Sequence, residues 1–346
     1  MKTNEYWQKR SEQISSRQFR RADALEIRLN KQHSKSLKSI QRDIEAFYGR
    51  YAVNNEISFV DAKKQLDAGE LKEFKMTLEE FTRKAKDNAD GRWTKELNNV
   101  YYRTRVTRYE ALLMQIRHEV ELLTDAEYKE LTSLLEDTYK DTYHRTLFEI
   151  QRGTGIGVSF AQIDKNALET VLNKKWAGSD YSSRIWDNKT KLLRELETNL
   201  SQAFIRGDSL GKTIRTVQQR MGVSNVNAAR LVRTESAHIA AEATYEGYKA
   251  SGVVKQYQFL ATLDSRTSAV CQSMDNRIFP LSEKQVGVNY PPLHVNCRST
   301  TVAYFDDGED PGERIARDAE GNYYYVPDTM NYEEWHKKYV KGGDKL

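Results

Sequence analysis

Apolar residues recur at steps of three and four through most of this chain. Between Asn4 and about Gly49, Phe19, Leu25, Ile27, Leu29, Leu37, Ile40, Ile44 and Phe47 are set among charged residues, which predicts one long helix. Its apolar positions are sparse, so it is expected to pack only weakly within its own chain. Further helices are predicted near 58–68, 70–88, 92–123 and 124–152. Val106, Tyr109, Leu112, Leu113, Ile116, Val120 and Leu123 form one stripe, and Thr124-Asp-Ala-Glu127 has the form of a capping box opening the next helix. Later helices are predicted over 160–176, 187–206, 209–221 and 224–250. Leu192, Leu193, Leu196, Leu200, Ala203 and Phe204 line the second of these, and Ser224 stands where an N-cap would open the last.

All five prolines lie at or after Pro280, so glycine alone punctuates the first 279 residues. The clearest break is GTGIG at 153–157. No strand precedes it and no Lys-Ser/Thr follows, so it reads as a hinge rather than a phosphate loop. After Gly252 the period changes. Tyr257, Phe259, Ala261 and Leu263 alternate with Gln256, Gln258, Leu260 and Thr262, as in a half-buried strand. Short strands are also expected at 277–279 and 298–305. The chain is therefore read as α+β and predominantly α-helical. A helical N-terminal region (1–152) with a basic start leads through the 153–157 hinge to a second region (158–305), whose small antiparallel β-sheet occupies 253–305. The tail (306–346) is acidic, then aromatic, and is expected to be a flexible strap ending in a short helix.

The protein has 38% hydrophobic and 30% charged residues and a mean hydropathy of -0.78, which suits long two-sided helices better than one large core. No apolar run is long enough to span a membrane. The start, MKTNEYWQKRSEQ, lacks a signal-peptide core, so a cytoplasmic origin is expected. Two cysteines fit a reducing compartment. Net charge is only +4, yet residues 1–50 hold twelve Lys/Arg against six Asp/Glu. Such an arm can contact phosphates through Lys9, Arg10, Arg17, Arg20, Arg21, Arg28, Lys31, Lys35, Lys38 and Arg42. The alternative is a solvated helix face.

Two constellations could carry chemistry. In ARLVRTESAHIAA, Glu235 lies four residues from Leu231, three from Val232 and four from Ile239, which puts its carboxylate on the apolar face. A buried carboxylate needs a partner. Arg233 points elsewhere, and Arg266 or Arg298 from the sheet region are the expected partners. A general base is the other reading. Second, Cys271, His294 and Cys297 form C-x22-H-x2-C, two thiolates and an imidazole of the kind that bind zinc. A closed site needs a fourth ligand, with Asp264 or Asp275 as candidates. Three ligands and a water would match a catalytic zinc. The H-x-E with P-C-x-x-C of zinc deaminases and the H-E-x-x-H of zinc proteases are both absent. Taken alone, the residues leave a metal site and buried reduced cysteines as alternatives.

RLVRTESAH, then LDSRTSAVC with Asp275 four residues on, then NYPPLHVNCRSTT, occur in that order and resemble the phage head-morphogenesis family with a Mu F-like domain. The resemblance covers about 175–305 and includes KKWAGSDYSSRIW, as in its Gram-positive siphophage branch. Relatives often carry further cysteines where Ser268 and Ser299 stand here, which removes two soft ligands. The resemblance implies a virion component inside the head near the portal vertex, assembled in the host cytoplasm. It would act in head assembly and in DNA packaging, retention or ejection. The implied partners are the portal protein, scaffold or major capsid protein, and packaged double-stranded DNA, with no membrane. No enzymatic activity and no cofactor are expected. The alternative is a metal-dependent enzyme acting on nucleic acid or nucleotide through Glu235 and a Cys271/His294/Cys297 zinc.

Overall fold

The computed structural model of the chain describes residues 2–89, 91–157, 163, 165–306, 313–317, 323–327 and 329–341. Helix α1 (Asn4–Tyr51) is followed by α2 (Phe59–Ala62), α3 (Ala68–Lys84), α4 (Arg92–Tyr101) and α5 (Arg108–Thr154). Then come α6 (Lys165–Leu172), α7 (Tyr181–Arg206) and α8 (Leu210–Ser251). Strand β1 (Gln256–Leu260), helix α9 (Ala269–Met274), β2 (Ile278–Pro280) and β3 (Thr300–Tyr304) complete the sheet region. The fold is α+β and predominantly helical. Two compact units divide it: Met1–Ala24, Ser133–Tyr181 and Arg230–Leu346 form one, and Leu25–Thr132 with Ser182–Ala229 form the other. Ser133–Tyr181 stays within one unit, so the division does not fall at 153–157.

The long first helix does not pack weakly, contrary to expectation. Ala22, Leu25, Leu29, Ile40 and Ile44 are all buried, and so are Gln18 before them and His33 and Ser36 between them. Counting those polar positions, the buried face steps 18, 22, 25, 29, 33, 36, 40, 44, 47, an unbroken run of steps of three or four. An apolar-only reading sees gaps where the helix buries polar side chains instead.

In the unit built from Leu25–Thr132 and Ser182–Ala229, Ile40, Ile44 and Phe47 meet Leu112, Ile116, Val120, Leu196, Leu200 and Phe204 in one core. Each such side chain contributes about 1.5–3 kcal/mol by leaving water. A second cluster joins Phe74, Leu78 and Phe81 of α3 to Trp93 and Leu97 of α4. Two helix boundaries here turn on the same signature, Thr-x-x-Glu, at Thr107 and Thr124. At Thr107 it is a real capping box: the Glu110 amide donates to Thr107 Oγ1 at 3.2 Å, and the Thr107 amide donates to Glu110 Oε2 at 2.7 Å. The predicted 92–123 helix is therefore two helices, broken at 102–107. At Thr124 the same letters open nothing. Thr124 Oγ1 donates to the Val120 carbonyl at 2.8 Å, and α5 runs straight through. Ser224 likewise lies inside α8, because the apolar stripe from Val217 and Met221 to Ala228 continues across it.

In the other unit, β1 pairs antiparallel with both neighbours in the order β2-β1-β3, with Tyr257 opposite Phe279 and Ala303. The strand is not half-buried as expected: Tyr257, Gln258, Phe259 and Leu260 are all buried. Tyr257 and Leu260 join Trp7, Ile150, Tyr248 and Tyr290 in one cluster, while Phe259 and Ala261 join Cys271 and Cys297 in another. Gln258 keeps its amide paired by reaching Gln8 and Asn276. Gly153 is still helical, and a Cβ there would lie 2.3 Å from Trp7 Cη2, so this glycine serves close packing. Gly155, at φ +72°, follows the end of α5. Residues 160–162 and 164 of the predicted 160–176 helix lie outside the described residues. The tail holds two antiparallel strands that periodicity did not predict, β4 (Glu313–Arg317) and β5 (Tyr323–Pro327), and then α10 (Tyr332–Trp335). Trp335, Val326 and Ala316 pack on Leu263.

Candidate functional site

The loop after β1 is built around Asp264. Its Oδ1 accepts from the Arg266 amide at 2.9 Å and from Thr267 Oγ1 at 3.1 Å, the local turn that Asp favours. Arg298, just before β3, clamps the same carboxylate with two nitrogens, Nη1 to Oδ2 and Nη2 to Oδ1, the latter at 2.7 Å. Arg266 Nη2 stands 3.8 Å away. Burial alone would push the Asp264 carboxyl up, but the Arg298 hydrogen bonds and charge outweigh it and hold the carboxyl below its usual range.

Both arginines expected at Glu235 are therefore on Asp264 instead. Glu235 is 2% exposed, as its place on the apolar face of α8 requires, and it accepts from Trp176 Nε1 at 2.9 Å. The Trp176 ring stacks on His238 at 4.4 Å. A tight turn presents this indole, with Ala177 and Gly178 at φ +45° and +87° and Trp176 and Ser179 bonded to each other. The indole is a neutral donor, so sequence reasoning that sought a cation for the carboxylate passed over it. Arg233 does lie elsewhere, 3.4 Å from Asp23.

Cys271, His294 and Cys297 do come together, with their ligand atoms all within 4.8 Å of one another. Cys271 sits in the first turn of α9, whose N-cap is Ser268. His294 and Cys297 are the ends of a turn: the Cys297 amide donates to the His294 carbonyl at 3.2 Å, and Asn296 takes the left-handed conformation at φ +59°. The Asn296 amide is tied to Thr234 Oγ1 of α8 at 3.1 Å. Cys271 Sγ is 3.7 Å from Cys297 Sγ and 3.2 Å from His294 Nε2, and Ser268 Oγ is 2.7 Å from that nitrogen. The contact between the two sulfurs pulls the Cys297 thiol down and pushes the Cys271 thiol up. Among the described residues no carboxylate joins the three. Asp264 is held by Arg298, and Asp275 accepts the Ala261 amide at 2.8 Å, so the two suggested fourth ligands are engaged elsewhere.

This stretch of chain, from α7 to β3, matches a described family. Residues 194–302 match the family described as Phage Mu protein F like protein. The chain carries a Mu F-like domain. Minor head protein GP7 of Bacillus phage SPP1 is 25% identical over 296 residues, 80% of this chain and 92% of that protein. NAD(+)--arginine ADP-ribosyltransferase EFV of Enterococcus faecalis is 23% identical over 212 residues, 58% of this chain and 42% of that protein. An uncharacterized protein of Haemophilus influenzae is 24% identical over 161 residues, 46% of this chain and 35% of that one. The chain spans less than half the length of these last two. No solved structure matches the chain.

The Mu F-like domain also holds a pair that sequence reasoning missed. Glu242, 5% exposed, accepts from Lys284 Nζ at 2.5 Å, and that cation lies 3.9 Å from the Tyr245 ring centre. Glu242 is two helical turns after Glu235, so the same position on the face was its signal.

The basic arm is divided. Arg10, Arg17, Arg21 and Arg28 face carboxylates of α5: Glu149 at 3.4 Å, Asp141 at 2.9 Å, Asp137 at 3.4 Å and Glu130 at 2.8 Å. These four are partners within the fold. Lys9, Arg20, Lys31, Lys35, Lys38 and Arg42 are exposed. The last four step by four, three and four along one side of α1 and line a shallow open groove with Asn30, Ser34 and Gln41. No helix among the described residues is long and apolar enough to cross a membrane.

Proposed function

We propose that this chain is a minor head protein of a phage particle. It is built into the head during assembly in the host cytoplasm and sits inside at the portal vertex. There it acts in packaging, retention or ejection of DNA by touching the DNA backbone. The observation that carries this reading is the extent of the similarity to minor head protein GP7, 80% of this chain and 92% of that one, which reaches well beyond the matched domain into the helical region. The Lys31, Lys35, Lys38 and Arg42 stripe supports phosphate contact, since lysines and arginines on one exposed face neutralise phosphates without reading sequence. Portal protein, and scaffold or major capsid protein, are the protein partners in this reading.

The role is structural rather than enzymatic. Glu235 is buried under Trp176 and engages its carboxylate with the indole, which suits a packing device better than a general base. Localisation of a tagged chain in purified heads by electron cryomicroscopy tests the proposal. Density at the portal vertex inside the shell is expected. A chain missing from heads, or spread evenly over the coat lattice, would overturn it.

A further inference from the structure

We propose that Cys271, His294 and Cys297 bind one zinc ion that staples the His294–Cys297 turn to the first turn of α9. Two of the three donor spacings are close to those of ligands around one ion. Two thiolates bound at about 2.3 Å in a tetrahedron lie about 3.7–3.8 Å apart, and the two sulfurs are 3.7 Å apart. A disulfide would need them at about 2.05 Å. An imidazole nitrogen and a thiolate on the same ion would be about 3.5 Å apart, and His294 Nε2 is 3.2 Å from Cys271 Sγ, a few tenths of an ångström closer.

The imidazole is also set in the right tautomer. His294 Nδ1 is 2.8 Å from the Val295 carbonyl, which can only accept, so Nδ1 carries the proton. That leaves the lone pair of Nε2 on the side of Cys271 Sγ and Ser268 Oγ. A backbone carbonyl fixing the far nitrogen is how metal-bound histidines are usually held.

The ligands are fixed by independent local structure. Ser268 caps the helix that carries Cys271, and the left-handed Asn296 with its bond to Thr234 shapes the turn that carries the other two. Both cysteines are 1% exposed, within a cluster that includes Phe259, Ala261, Met274 and Leu293. Thiolate and imidazole donors of this softness select zinc over calcium or magnesium. With Asp264 and Asp275 engaged elsewhere, the protein supplies three ligands. A water would complete the tetrahedron. Zinc binding at these residues does not depend on the head-protein reading.

The experiment uses the full chain purified under reducing conditions without added metal. Zinc is measured after dialysis against a weak chelator, and cobalt(II) is then titrated into stripped protein. About one zinc per chain is expected, with cobalt giving a thiolate charge-transfer band in the near ultraviolet and tetrahedral visible bands. Stripping should lower the melting temperature, and re-adding zinc should restore it. Cys297→Ser should lose the cobalt charge-transfer intensity in part, while Lys72→Gln, at an exposed position of α3, keeps it. Folded wild-type chain without zinc, cobalt bands or a zinc-dependent melting temperature would overturn the proposal. So would a Cys271–Cys297 disulfide in freshly purified protein. Both of these results are read on the wild-type chain, so a misfolded variant cannot blur them.

Discussion

Ile40, Ile44, Leu112, Leu196 and Phe204 hold the helical unit together with interlocking apolar stripes, whereas the unit around Asp264 adds to its apolar clusters single polar side chains that reach across long stretches of chain. Arg298 reaches Asp264 over 34 positions, Lys284 reaches Glu242 over 42, and Trp176 reaches Glu235 over 59. A stripe tolerates exchange among residues of similar size. A clasp does not, because one wrong partner strands a buried carboxylate. The motif letters of the Mu F-like domain, D-S-R-T and N-C-R-S, are largely clasp and turn residues.

The sharpest way to break this contrast is to open the Asp264 clasp. Arg298→Met leaves Asp264 desolvated without its main cation, and a loss of about 3 kcal/mol is expected. Asp264→Asn added to Arg298→Met should return a good part of that loss, since no charge is then stranded. Chemical denaturation followed by circular dichroism measures both. If the single variant unfolds like the wild type, the clasp does not hold this unit. The sign with pH follows from the depressed carboxyl. The clasp contributes fully above the ordinary carboxylate range and is lost as pH falls through the lowered folded value.

The helical unit should respond to acid by another route. His33 and His118 are buried, and burial lowers each from 6.5 to about 4. His118 stacks on Phe81 and accepts from Trp93 Nε1 at 3.1 Å, a neutral imidazole acting as acceptor. The unfolded chain takes up these protons first, so stability is full above pH 6.5 and falls toward pH 4, by at most about 3 kcal/mol per histidine. Glu127 opposes this, since burial raises it from 4.5 to about 7. Its contribution is full below pH 4.5 and is lost as pH rises to 7. His33→Leu should therefore flatten the loss between pH 6.5 and 4.5, and Glu127→Gln should steepen it. Urea midpoints at pH 8, 6 and 4.5 decide. An unchanged difference in both variants would mean that these groups titrate normally in the folded chain.

Much of this organisation was legible in the letters, for identifiable reasons. Helix content, the three-stranded sheet, the burial of Glu235 and the convergence of Cys271, His294 and Cys297 all follow from periodicity, turn residues and motif order. Three kinds of feature were not legible. Helix ends failed where a local signature was judged without its surroundings, since Thr107 and Thr124 carry the same capping letters and only one follows a break in the apolar stripe. Burial of α1 failed because Gln18, His33 and Ser36 occupy inward positions that a polarity count discards. Partners failed because α8 and the sheet region offer several cations, and only the folded path of the chain brings Arg298 to Asp264 and Lys284 to Glu242. Trp176 shows the same limit, as a neutral donor is invisible to a search for charge.

The smallest effect on stability is expected where function is proposed to lie. Lys31, Lys35 and Lys38 are exposed on one side of α1, and changing all three to Gln should move stability by no more than about 0.5 kcal/mol each. Their effect should surface only against DNA. If the stripe lies along a phosphate backbone, each lysine releases about one counterion on binding, so the slope of log affinity against log salt should become shallower by about 3 in the triple variant. Arg17→Gln supplies the contrast, because that arginine already faces Asp141 at 2.9 Å and should alter the slope little. Duplex binding by the full chain at several salt concentrations separates the two. Equal slopes for wild type and triple variant would remove this stripe from the DNA reading. An Arg17 effect as large as the lysines' would mean that the internal ion pairs open on binding, so that the whole arm, not its exposed half, meets the nucleic acid.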